Sequence, residues 1–208
     1  MIAIIKEDKA YLYRIRKYVW ISLAIFILSI AAGFFVAQNY PQEIQTYLEE
    51  AQAFFSSMQS PTPWGTFLMI LQNNVEAMLL IVALGIFAGF FSLTFILANG
   101  FILGVFAYLF YAKGLLLLFI VGIIPHGVIE IPCMLFSAAI GFQIGKTVVR
   151  KIFRKKESLM MELSEGIKFA VTIIVPALVV AALIETYITP YSIALGQIGL
   201  GIENPLHF

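Results

Sequence analysis

Charge is what this chain has least of. Charged residues fill 12% of its 208 positions and hydrophobic residues 61%, where a soluble domain carries about 25% charged residues. A separate water-soluble domain is therefore excluded. The net charge of +1 gives no electrostatic ground for a nucleic-acid partner. Cysteine is nearly missing. Cys133 stands alone in an apolar segment, so no disulfide framework and no cysteine metal cluster can form. Histidine is almost as scarce: His126 and His207 are the two. The H-E-x-x-H pattern of a zinc protease does not occur, and neither Ser137 nor Cys133 lies in a hydrolase motif. From these absences we expect no enzyme activity, no metal and no other cofactor.

What the chain has in abundance is long apolar runs. They predict an all-α, polytopic membrane helix bundle in a single membrane domain, residues 1–208. The first run starts near Trp20, late and long for a cleaved signal, so it is read as a retained span over 18–37. Further spans are expected over 66–90 and 93–112, with a turn at Lys113-Gly114. Residues 115–149 then stay apolar for longer than a bilayer core of roughly 30 Å requires. Pro125, Gly127 and Pro132 supply an expected break, because proline removes a backbone donor and glycine adds freedom. The fourth segment is thus read as a half-helix 115–124, re-entrant or crossing, followed by a full helix 126–149. The last of five spans covers 167–187. Between the first two spans, 38–63 reads as a loop whose middle, 42–58, is an amphipathic helix.

Basic residues set the expected orientation. Five lie in an arm over 1–17, six in the stretch 146–156, and Lys168 follows; twelve of the thirteen thus fall on one side, leaving Lys113 opposite. The arm and a basic loop over 146–166 are expected in the cytoplasm. Loop 38–63 and a glycine-containing tail over 190–208 are expected outside the cell membrane. The run 146–156 suits this topological role, and it also suits contact with anionic lipid.

Ionisable residues inside such segments cost roughly 2.5–3.5 kcal/mol for Asp, Lys or Arg at a helix centre. They therefore mark the functional candidates: Asn73, Glu76, Asn99, His126, Glu130 and Glu185. His126 and Glu130, four apart, share one helix face. They suit a proton relay or an ion site, or two metal ligands, although catalytic zinc takes about three protein ligands. A neutral Asn or Ser would make an interhelical clamp at lower cost, which favours function over structure. Glycines fall elsewhere. Gly85 and Gly89, Gly100 and Gly104, and Gly141 and Gly145 form three small-xxx-small pairs, which let helix backbones approach closely in lipid. A homodimer through such a glycine face is one arrangement they allow. Glu76 precedes Gly85 and Gly89 much as Glu130 precedes Gly141 and Gly145, a spacing that fits either a degenerate repeat or coincidence.

Several of these marks together resemble the stage II sporulation protein M family. They are Asn73-Asn74, Asn99-Gly100-x-x-x-Gly104, Pro125-His126-Gly127-Val128-Ile129-Glu130-Ile131-Pro132, Gly141-x-x-x-Gly145 and Ala182-Leu183-Ile184-Glu185-Thr186-Tyr187-Ile188-Thr189-Pro190. The resemblance implies a five-span integral membrane protein. In spore formers it implies a scaffold for engulfment that recruits membrane and cell-wall partner proteins. The residues themselves favour an outward-opening polar site for an ion, a proton or a small solute. The lipid bilayer is the one partner common to both expectations.

Overall fold

The computed structural model describes residues 2–44, 62–153 and 158–200, with side chains from residue 8 onward. Among them the regular structure is helical, and five helical stretches are long and apolar enough to cross a membrane. They comprise α1 (Ile2–Asn39), α2 (Pro63–Leu84), α3 (Phe90–Ala112), α4 (Leu116–Ile152), and a composite of α5 (Leu159–Phe169), a π-helical turn (Ala170–Ile174) and α6 (Val175–Tyr187). A final helix, α7, spans Thr189–Gly199. Large apolar side chains face outward all round, including Leu28, Leu117 and Val128. Lipid is the solvent in which such a surface is stable.

α4 is the central post. Its stretch 133–145 is buried almost all round: Ala138, Ala139, Ile140 and Ile144 have no exposed surface. α4 touches every other helix described. α1 packs most extensively on α3. The buried positions of α1 are Asp8, Tyr11, Ile15, Ser22, Phe26, Ser29, Gly33 and Ala37, a spacing of mostly three and four residues that keeps one stripe on one face. Its small members let α3 come near, and the Ser29 hydroxyl donates to the Leu97 carbonyl at 2.6 Å.

The six glycines divide into two seams. A Cβ on Gly85 would stand 2.7 Å from Gly141 Cα, and one on Gly145 would strike the backbone of Ala88 and Gly89. These four therefore join α2 and the following turn to α4. Gly100 and Gly104 lie instead against the α1 backbone, at Phe26 and Ile30, and Gly33 meets Phe101 in return. The turn from α2 to α3 closes through Ala88 (φ 55°) and Gly89 (φ 77°). A left-handed alanine is uncommon; here Gly145 packs directly beneath it.

The structure corrects the reading of the fourth segment. α4 runs as one helix through Pro125 and Pro132, so the proposed half-helix 115–124 and its break are not there. An internal proline forfeits one backbone hydrogen bond, and packing by neighbouring helices offsets that loss in membrane proteins. Here the neighbour is α7, which seats Ile193 beside Gly122 and Gly196 against Leu118. The first part of the expected tail 190–208 is thus a packed helix; 201–208 lie outside the described residues. The expected arm 1–17 is the beginning of α1, and 146–152 continue α4. Of the expected amphipathic helix 42–58, Gln42–Ile44 are helical and the remainder lies outside the described residues.

Candidate functional site

Two helices bring the polar cluster together. His126 and Glu130 sit one turn apart on α4. Glu185 comes from the last turn of α6. One ligand-capable atom from each of the three lies within 4.8 Å of the others, and all three side chains are half-buried. Cys133, buried at 4% exposure, continues the same α4 face beyond Glu130.

A fourth residue orients the histidine. α6 ends at Tyr187, and α7 begins at Thr189 with Pro190 in its first turn, where the missing N–H has no partner to lose. This sharp junction points buried Thr189 back at α4. The Thr189 hydroxyl lies 3.3 Å from the Ile184 carbonyl, to which it donates, and 3.2 Å from His126 Nδ1. A hydroxyl has one proton. When that proton is on the carbonyl, Nδ1 donates to the Thr189 oxygen and Nε2 carries the free lone pair; in the other tautomer Thr189 donates to Nδ1. The sequence reading quoted Thr189 as a family mark and gave it no role. Its signal was its place four residues after Glu185, just before a helix-starting proline.

The other three candidates do not join. Asn73 and Glu76 are exposed on α2, and Gln72 Nε2 donates to Glu76 Oε1 at 2.8 Å within that helix. Asn99 is exposed on α3 and donates to the Phe95 carbonyl at 2.9 Å. An apolar surface groove lies elsewhere. Some 700 Å³ between α1 and α3 is lined by Leu28, Ala32, Leu97, Phe101 and their neighbours, and its apolar walls suit a lipid tail.

A second polar group lies toward the far end of α4. Arg14 Nη2 donates to Glu162 Oε1 at 3.3 Å and also contacts Glu165. Gln143 Nε2 donates to Glu162 Oε2 at 3.3 Å. The Thr172 hydroxyl lies 3.4 Å from both Asp8 carboxylate oxygens. These contacts tie α1, α4 and α5 together. The sequence reading took Arg14 as a topology signal and passed over Gln143 and Glu162.

Fold and cluster together define a multi-pass membrane helix bundle with a histidine–carboxylate cluster between two of its helices. The family described as Stage II sporulation protein M matches residues 22–190, and the chain belongs to that family. Two proteins of Methanocaldococcus jannaschii, both described as uncharacterized, are similar to it. One is 30% identical over 177 residues, covering 82% of this chain and 92% of the relative. The other is 32% identical over 126 residues, covering 59% of this chain and 55% of the relative. No solved structure matches the chain.

Proposed function

We propose that this protein takes a small cation into the cluster of His126, Glu130 and Glu185, and that this site serves permeation of an ion or small solute across the cell membrane. The convergence of those three side chains from two helices carries the reading. Neither carboxylate is ion-paired with a lysine or arginine among the described residues. Two unbalanced carboxylates in an apolar bundle attract positive charge, because the low dielectric strengthens the interaction. The basic residues favour a cytoplasmic amino terminus and an external carboxyl terminus. No catalytic step is assigned to the site.

Full-length protein reconstituted in liposomes is expected to show cation flux that falls at least tenfold in Glu130→Gln and in Glu185→Gln. Glu76→Gln, on the outer face of α2, is expected to leave flux unchanged. Flux that survives in both cluster variants removes this reading.

The outer face of α2 favours a second role. Gln72, Asn73 and Glu76 are exposed there, and polar groups facing lipid are costly. A protein partner, whether a second copy or one of the membrane or cell-wall proteins implied by the family's sporulation name, would cover them. Asn73→Leu with Glu76→Leu is expected to abolish chemical crosslinking of the protein to its neighbours in intact cells without lowering thermal stability in detergent. An unchanged crosslinking pattern counts against such an interface.

A further inference from the structure

We propose that His126 Nε2 and one carboxylate oxygen each from Glu130 and Glu185 bind a single divalent transition-metal cation of the zinc type. The proposal rests on reading this cluster as a cation site and names the ion it takes. Charge argues for a divalent ion. Two carboxylates and one neutral imidazole balance a charge of two, whereas a monovalent ion leaves a net negative charge in an apolar bundle. The donor set argues for a transition metal. Calcium and magnesium take oxygen ligands almost throughout, while an imidazole nitrogen beside carboxylates suits zinc, manganese or iron(II).

Geometry agrees with the charge. Metal–ligand bonds of about 2.0–2.2 Å in a tetrahedron separate donor atoms by about 3.3 Å. A ring nitrogen of His126 and one carboxylate oxygen each of Glu130 and Glu185 already lie within 4.8 Å of one another, so side-chain adjustments of about an ångström close the site around an ion. Ligation through Nε2 uses the His126 tautomer that carries its proton on Nδ1. Metal-ligating histidines donate their second ring N–H to a neighbouring acceptor, which fixes the ring and raises its basicity. Thr189 Oγ1, 3.2 Å from Nδ1, is placed to be that acceptor, with the Ile184 carbonyl 3.3 Å away to take the hydroxyl's own proton. Thr189 is thus a positioning residue. Three protein ligands leave a fourth position for water or a small anion, an arrangement found at open zinc sites. The missing third ligand that weighed against a metal in the sequence is Glu185, 55 positions beyond Glu130 in the chain.

The test is equilibrium binding, independent of any flux. Full-length protein carrying His207→Ala, which removes the other histidine, is purified in detergent, stripped with chelator and titrated with zinc chloride, then separately with manganese, magnesium and calcium chlorides. One zinc per chain is expected, with magnesium and calcium at least 100-fold weaker. His126→Ala, Glu130→Gln and Glu185→Gln should each weaken zinc at least 100-fold. Thr189→Val should weaken it about tenfold, within the range known for supporting residues. Thermal midpoints without metal identify any variant that fails to fold; the two glutamine variants are near-isosteric. Zinc that binds with unchanged affinity to both glutamine variants, or no stoichiometric zinc or manganese on the folded parent, overturns the proposal. Stoichiometric zinc without any liposome flux would support the site while removing permeation.

Discussion

Gly141→Leu is expected to leave no stable, monodisperse protein in mild detergent. The reason lies in the seam between α2 and α4. Any side chain at Gly141 meets the Ser92 hydroxyl, and its first carbon stands 3.0 Å from the Ile81 carbonyl. Opposite it, Gly85 is equally bare, with no flexible side chain to swing aside. Overpacking in a well-packed core typically costs 1–3 kcal/mol and more where backbone must move. Four added heavy atoms against two backbones should exceed about 4 kcal/mol, at the diagnostic end of single-mutant effects. Gly199→Ala is the comparison: a carbon there meets nothing within 4 Å. Size-exclusion profiles and thermal midpoints in one detergent give the readout. A Gly141→Leu protein that melts with the parent would mean that the two helices do not touch as described.

Glu162→Ala is expected to destabilise the bundle by about 2–4 kcal/mol, while Glu165→Ala costs less than about 0.5 kcal/mol. Both carboxylates contact Arg14. Burial separates them: the Glu162 side chain is 8% exposed and that of Glu165 41%. Removing Glu162 strands the Gln143 amide, whose Oε1 already has no hydrogen-bond partner among the described residues. It also removes the opposing charge from Arg14, whose guanidinium lies over the buried Tyr11 ring. Unfolding in denaturing detergent, followed by circular dichroism, measures both variants. Equal losses would mean that burial at Glu162 contributes nothing.

The five crossings were legible because an apolar run of twenty residues has few alternatives in lipid. The Lys113-Gly114 turn was legible too, and Gly114 closes it with a positive φ of 71°. Pro125 misled because a proline's local cost is visible in sequence, while the α7 surface that offsets it is not. α7 itself was obscured by its glycines. Its signal was Ile193, Gly196 and Gln197, spaced to share one face, and Gln197 is buried. At the candidate site, the i,i+4 spacing placed His126 with Glu130 directly. Glu185 was named in the same polar site, but its contact with them was not legible, because the packing of α6 against α4 is a tertiary fact. Asn73, Glu76 and Asn99 show the converse. Polarity in an apolar run marks a residue as costly but leaves its direction open, and these three face outward.

The glycine seams leave little play between α2 and α4 or between α1 and α3. Glu185 and Thr189 ride on neither weld. They lie downstream of the π-turn Ala170–Ile174 and of Pro176 at the start of α6, where the regular hydrogen-bond ladder is interrupted. A helix bends most cheaply at such an interruption. A rearrangement that parted Glu185 from His126 and Glu130 would use that bend, while the glycine seam held α4 against α2.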